Sequence, residues 1–239
     1  MTPLRFALAQ GVLLADALTA LRAVGLDVSR LGEDRRLLVP SGDVEYVLAR
    51  PSDIATYVER GAADLGIVGK DVLMESAARV LELVDLRFGA CRFVVAAPRD
   101  ALERSLDEYR HLGSLEVATK YPRVAEQHFR RRGIQVEIVK VAGSAELAPQ
   151  VGLADWIVDL VATGATLAAN DLAIVEEIAS STARLIANPS AYQLRRKEIA
   201  PLAERAGLEI VELTVVDRER VRLADGRVVT AEDLARELA

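Results

Sequence analysis

The chain has 239 residues, 51% of them hydrophobic but only 4% aromatic, so one or two modest domains would be built on Leu, Val, Ile and Ala. Its net charge of −6 argues against a general nucleic-acid binder, while leaving room for a local basic pocket that takes a small phosphorylated ligand. A single cysteine, Cys91, excludes an internal disulfide framework and a cysteine-rich metal site.

From the N-terminus, "LRFALA" (Leu4–Ala9) reads as a strand and Leu13–Val24 as a helix ending before Gly25. Arg5 and Asp16 interrupt the apolar opening, and neither a cleavage site nor a spanning segment follows. The expectation is a cytoplasmic, soluble protein with no membrane association. Arg36–Val39 and Val44–Ala49 flank "PSGD", a hairpin turn signal. Ser52–Arg60 is expected to be helical, with Ser52 as N-cap and Gly61 past the end. Leu65–Val68 is a short apolar strand, followed by a helix from about Lys70. Strands are expected again at Cys91–Ala97, Leu115–Thr119 and Gln135–Val141, with a helix at Arg123–Arg132 closed by Gly133. The only histidines, His111 and His128, lie in polar stretches and read as solvated.

Ser144–Val151 reads as a short helix, Trp156–Val161 as a strand, Ala183–Ala187 as another, and Ala191–Ala206 as a polar-faced helix with Gly207 beyond it. Strands separated by helices imply parallel βαβ units, and the continuous apolar runs fit strands covered on both faces. The tail from Leu208 has two β-rich pieces around "LADGR" and a helix from about Thr230.

The stretch with most chemistry is "DLVATGATLAAN", Asp159–Asn170. In open α/β sheets, ligands sit beyond the carboxyl ends of strands, where a helix N-terminus offers free N–H groups and partial positive charge. Glycine lets the backbone approach, and Thr163 and Thr166 add hydroxyl donors, so the loop Ala162-Thr163-Gly164-Ala165-Thr166 would suit a phosphate. It is neither a Walker A loop nor a G-x-G-x-x-G turn. Asp159, inside an apolar strand, needs partners that sugar hydroxyls beside a phosphate would supply. The alternative is a plain strand–turn–helix with Thr166 as N-cap and Asp159 on an exposed edge.

Longer segments decide more. "RPSDIATYVERGAADLGIVGKDVLME" (Arg50–Glu75), "ATKYPRVAEQHF" (Ala118–Phe129), "GSAELAPQVGLADWIVDLVATGATLAAN" (Gly143–Asn170) and "NPSAYQLRR" (Asn188–Arg196) together resemble the ATP phosphoribosyltransferase family, the first enzyme of histidine biosynthesis. The resemblance implies a two-lobed α/β fold of the type II periplasmic-binding-protein kind, with an active-site cleft between the lobes. Lobe I would be residues 1–89 plus 181–207, lobe II 90–180, and 208–239 a small β-rich appendage.

It further implies attack of the ATP adenine N1 on C1 of phosphoribosyl pyrophosphate, with Mg²⁺ as cofactor, giving N1-(5-phosphoribosyl)-ATP and pyrophosphate. Asp159 would meet the ribose hydroxyls and favour the developing positive charge. The loop Ala162, Thr163, Gly164, Ala165 and Thr166 would hold the 5′-phosphate. Gln10, Gly11, Arg50, Lys70, Asp71, Lys120 and Tyr121 match positions near the nucleotide, Tyr121 as a ring to pack on adenine. Glu146 is the second candidate catalytic carboxylate, in contact with substrate or metal; it also fits a helix-start carboxylate. No metal ligand is assigned.

The family's first strand usually ends in "LPKGR". Here Ala9-Gln10-Gly11-Val12 stands in its place, without the lysine or the arginine. Losing charged phosphate contacts weakens binding unless Arg22, Arg35 or Arg36 compensates. An inactive nucleotide-binding paralogue, acting as a regulatory or binding module, is therefore the alternative reading. The tail is too short for the regulatory domain of long-form enzymes. The resemblance accordingly implies the short form: a homo-oligomer that also assembles with a histidyl-tRNA-synthetase-like regulatory subunit.

Overall fold

The computed structural model describes residues 2–32, 36–99, 101, 115–213, 215–217, 220–222 and 228–230. In chain order the first elements are β1 (Leu4–Ala9), α1 (Leu14–Ala23), β2 (Leu38–Ser41), β3 (Val44–Ala49), α2 (Pro51–Glu59), β4 (Leu65–Gly69), α3 (Lys70–Ser76) and β5 (Leu81–Asp85). Then come β6 (Cys91–Pro98), β7 (Leu115–Thr119), α4 (Pro122–Arg132), β8 (Val136–Lys140), a 3-10 turn at Ala145–Leu147, β9 (Trp156–Val161) and α5 (Ala165–Ala169). The chain continues with β10 (Leu172–Ser181), β11 (Ala183–Ala187), α6 (Pro189–Leu194), α7 (Arg196–Leu213), β12 (Val215–Asp217), β13 (Arg220–Arg222) and β14 (Val228–Thr230).

Two compact units result, one of Met1–Val68, Arg79–Phe88 and Arg184–Ala239, the other of Gly69–Ala78 and Gly89–Ala183. The first carries a six-stranded sheet of order β2-β3-β1-β4-β11-β5. β1 runs parallel to β3 and β4, while the β2–β3 hairpin and the β11–β5 pair are antiparallel. Helix α2 lies close on β4 because Gly66 has no side chain. A Cβ there would come within 2.9 Å of Val58 and 3.1 Å of Ile54. Pro51 opens this helix at its first turn, and no side chain caps it; the Ser52 hydroxyl bonds the Asp53 carboxylate instead, so the expected Ser52 cap is not formed.

The "NPSAYQ" segment locks a corner of the same unit. The Asn188 carboxamide oxygen accepts from Ala191 N at the start of α6, and its nitrogen donates to the carbonyls of Val58 (2.8 Å) and Glu59 (3.2 Å) at the end of α2. One buried amide thus satisfies a helix start and a helix end together. The expected single helix Ala191–Ala206 is instead two, broken at Arg195, and the second runs through Gly207 to Leu213. The tail therefore does not separate at Gly207. Beyond the helix, β12 pairs antiparallel with β13, and β13 with β14, which ends at Thr230; "LADGR", the residues after Thr230 where a helix is expected, and His111 lie outside the described residues.

The second unit holds a mixed five-stranded sheet, β10-β6-β9-β7-β8, parallel across β8-β7-β9 and antiparallel across β9-β6-β10. Its core has two faces. Val94, Ala96, Ala118, Ile157, Val161 and Leu167 pack on one, and Val95, Val117, Phe129, Trp156 and Val158 on the other. β9 alternates between them, which is why its sequence is apolar at every position but Asp159.

Residues 69–78, expected with the first lobe, belong here for a local reason. Lys70 N donates to the Thr182 carbonyl (3.0 Å), and Asp71 exchanges two hydrogen bonds with Ser181 at the end of β10. His128 is not solvated either. Its side chain is 12% exposed, and its Nε2 pairs with Glu176, which also pairs with Arg132.

Candidate functional site

β9 is the middle strand of its sheet, so Asp159 is on no exposed edge. Two residues from Ile157 and from Val161, it shares their face, the face covered by Ala145, Ala148 and Leu167. Glu146 lies in the turn between the two alanines. The Asp159 carboxylate is half-buried and accepts from Leu160 N at 2.7 Å. Burial raises its pKa above the ordinary aspartate range. The Leu160 amide opposes that rise, the Glu146 charge adds to it, and Lys120 pulls it back. Asp159 therefore feels a second carboxylate and a lysine from two other segments of this unit.

The loop after β9 opens outward. Ala162, Thr163, Ala165 and Thr166 are exposed, and Gly164 has φ +80°, a left-handed conformation that a residue with a Cβ rarely adopts. Gly164, not Thr166, is the N-cap of α5, and the Thr163 hydroxyl accepts from Ala165 N at 3.3 Å. The Thr166 hydroxyl is left on the exposed side, while its carbonyl takes a bond from the Asn170 side chain. Of the two readings the sequence left open, the plain one with Thr166 as cap and Asp159 on an edge is excluded.

Tyr121 stands at the start of α4 with its ring edge-on to Phe93, centroids 4.9 Å apart, and with Lys120 Nζ 5.9 Å from its ring centre. Burial pushes its hydroxyl pKa upward, and the charges of Asp71, Asp159, Cys91 and Glu75 push the same way. Cys91 is likewise raised, first by burial and then by Asp71. Asp71 is anchored through Ser181, donor distances 2.9 and 3.0 Å, and its Oδ1 occupies the space where a Cβ on Gly69 would stand, 2.0 Å away. Lys70 is half-buried beside it.

Glu146 sits in a single 3-10 turn, Ala145–Leu147, instead of the expected Ser144–Val151 helix, and Ser144 before it takes a left-handed φ of 53°. Lys70, Asp71, Lys120, Tyr121, Glu146, Asp159 and the loop 162–166 thus share the second unit. Gln10, Gly11 and Arg50 belong to the first, at the ends of β1 and β3: Gln10 N donates to Ala49 O (2.8 Å), Gly11 has φ +99°, and Arg50 is the exposed residue before α2.

Three residues that the sequence reading passed over also belong to this network. Glu75 accepts from Arg123 N (3.3 Å) and Val124 N (3.1 Å), satisfying the first amides of α4 from another helix. Asp71 and Glu75 are four apart on one face of α3, a spacing that could have drawn attention to both. Ser181 and Thr119 are fully buried hydroxyls at strand ends, a position where such a group almost always has a bonding task. Among the described residues, no group of three or more His, Cys, Asp or Glu could hold a metal ion. Nor is any described helix long and apolar enough to cross a membrane.

A family model described as "HisG: ATP phosphoribosyltransferase" matches residues 50–207. The chain belongs to the ATP phosphoribosyltransferase family. An ATP phosphoribosyltransferase of Rubrobacter xylanophilus is 50% identical over 210 residues, which cover 87% of this chain and 97% of that protein. A solved complex from Thermotoga maritima, described as ATP phosphoribosyl transferase (HisG:HisZ), matches with a TM-score of 0.75 at 30% identity, covering 88% of this chain and 99% of that one. The VFT2 domain of BvgS from Bordetella pertussis matches at 14% identity with a TM-score of 0.55, covering 89% and 91%, a likeness of fold alone. The fold is that of the type II periplasmic-binding-protein class, and the family's activity is that of a transferase in histidine biosynthesis. The short form fits the length matched in these relatives, and nothing in them favours an inactive paralogue.

Proposed function

We propose that the second unit binds phosphoribosyl pyrophosphate through Asp159 and the loop Ala162–Thr166, and that the chain transfers its phosphoribosyl group to N1 of ATP. The observation that carries this reading is Asp159, a half-buried carboxylate on the middle strand, three residues before an exposed loop with a left-handed glycine. The loop's backbone amides and the Thr163 and Thr166 hydroxyls suit a 5′-phosphate. Asp159 then faces the ribose hydroxyls, which restore the hydrogen bonds its burial removed.

The chemistry asks little more than placement. Adenine N1 brings its own lone pair, so no general base has to remove a proton before the new C1–N1 bond forms and the C1–pyrophosphate bond breaks. The transition state carries positive charge on the sugar and negative charge on the leaving oxygen. Asp159 and Glu146 supply negative charge on the sugar side; Lys120 and Lys70 supply positive charge for phosphates. Magnesium is proposed to arrive with the pyrophosphate. Tyr121 is the proposed adenine contact, and Gln10, Gly11 and Arg50 of the first unit are proposed nucleotide contacts. We place the chain in the cytoplasm, as a homo-oligomer that also joins a HisZ-type regulatory subunit like the one in the Thermotoga complex.

The test is direct. Purified chain, ATP, phosphoribosyl pyrophosphate and Mg²⁺ are mixed with and without the regulatory subunit, and phosphoribosyl-ATP is followed by near-ultraviolet absorbance. Product that disappears in Asp159→Asn is the expected result. A variant as active as the parent would overturn the assignment of Asp159.

A further inference from the structure

Thr119 ends β7 fully buried, in a strand that is otherwise apolar on its inward positions. A buried hydroxyl that donates without accepting, or the reverse, leaves part of its bonding capacity unused; this one does both. Its Oγ1 donates to the Val158 carbonyl at 2.7 Å and accepts from Tyr121 N at 2.9 Å. Val158 is the residue opposite Thr119 in the parallel β7–β9 pair, and its carbonyl belongs to the peptide that leads into Asp159. One oxygen therefore joins the turn carrying Lys120 and Tyr121 to the backbone beside Asp159.

A second tie fixes the same turn from the other side. Tyr121 is the N-cap position of α4 and offers no side-chain cap of its own. The helix amides that follow are taken by Glu75, through Arg123 N and Val124 N. With Thr119 holding the turn to β9 and Glu75 holding its helix to α3, the Lys120–Tyr121 pair has little freedom to drift from the carboxylate.

We propose that Thr119 is a positioning residue for the transfer reaction, holding Lys120 and Tyr121 in register with Asp159 through its two hydrogen bonds, with Glu75 as the second anchor of that turn. The inference rests on the reading of Asp159 given above. Lys120 and Asp159 act on each other electrostatically, as do Tyr121 and Asp159, so their spacing has a consequence for the charge presented to substrate. Positioning errors of this kind act on the chemical step more than on substrate binding.

The experiment compares Thr119→Val, which keeps the shape and removes both bonds, with Thr119→Ser, which keeps the hydroxyl. Single-turnover rate and KM for phosphoribosyl pyrophosphate are measured in the complete complex and normalised to folded protein. The expected result for Thr119→Val is a rate lowered about tenfold or more with KM changed less than about threefold, and a rate within about threefold of the parent for Thr119→Ser. Should Thr119→Val fail to fold, Glu75→Gln is read in the same way and is expected to lower the rate by a smaller factor with KM unmoved. A parental rate in folded Thr119→Val, or in Glu75→Gln where Thr119→Val does not fold, overturns the inference, as does a Thr119→Val defect that serine does not rescue. Asp159→Asn run in parallel separates the two readings. If Asp159→Asn is inactive while Thr119→Val is not impaired, only the positioning role fails; if Asp159→Asn is fully active, the site assignment beneath it fails.

Discussion

Two strand-end loops of this chain use the same backbone device and carry opposite chemistry. Gly11 after β1 and Gly164 after β9 both take left-handed φ, +99° and +80°. The β9 loop carries two threonine hydroxyls and follows a half-buried carboxylate that Lys120 and Tyr121 share a field with. The β1 loop offers Gln10 and then Val12, a residue 93% exposed where the family usually places an arginine. Backbone shape alone would not distinguish the two; the side chains around them do.

The largest expected effect comes from breaking the richer loop. Asp159→Asn removes one negative charge and keeps the acceptor for Leu160 N, so kcat/KM should fall by about 100-fold or more while the fold survives, as the absorbance assay reads directly. The same variant has a stability signature. The folded pKa of Asp159 is raised, so the folded state holds a proton that the unfolded state has lost, and stability falls as pH climbs from the ordinary aspartate range through the folded pKa. Asp159→Asn, which never ionises, should therefore melt higher than the parent at neutral pH. That advantage should vanish as the pH is lowered into the ordinary aspartate range.

Next in size is Gly69→Ala. Its Cβ would fall 2.0 Å from Asp71 Oδ1, so Asp71 must leave Ser181 or the backbone must move, at a cost of about 1–3 kcal/mol in urea unfolding. Gly164→Ala puts a Cβ on a left-handed residue and should cost about 1–2 kcal/mol. It should also weaken phosphoribosyl pyrophosphate binding measured by calorimetry. The smallest change belongs to the poorer loop. Val12→Arg returns a cation at an exposed position, worth about 1 kcal/mol at most, so the KM for ATP should drop by up to about fivefold at low salt and less at high salt.

Much of this was legible in the sequence because local signals and burial agreed. β9 and its glycine–threonine turn, the α4 stop at Gly133 and the "PSGD" hairpin all appear where their patterns place them. β10 was not legible. Its ten residues contain register shifts between Ile174 and Glu176 and between Glu177 and Ala179, which destroy the two-residue alternation a strand is recognised by. The membership of α3 in the second unit was hidden for another reason. It depends on bonds between residues 110 apart, Asp71 and Ser181, which no local pattern announces. His128 shows the same limit, since its partner Glu176 lies on that unrecognised strand.

Calorimetric titration of phosphoribosyl pyrophosphate with Mg²⁺ into the parent chain, Thr163→Ala and Asp159→Asn tests the central assignment most directly. Saturable binding to the parent, weakened at least severalfold in both variants, is the expected result. Equal affinity in all three would mean that the sugar phosphate is held elsewhere, and that the β9 loop is not its site.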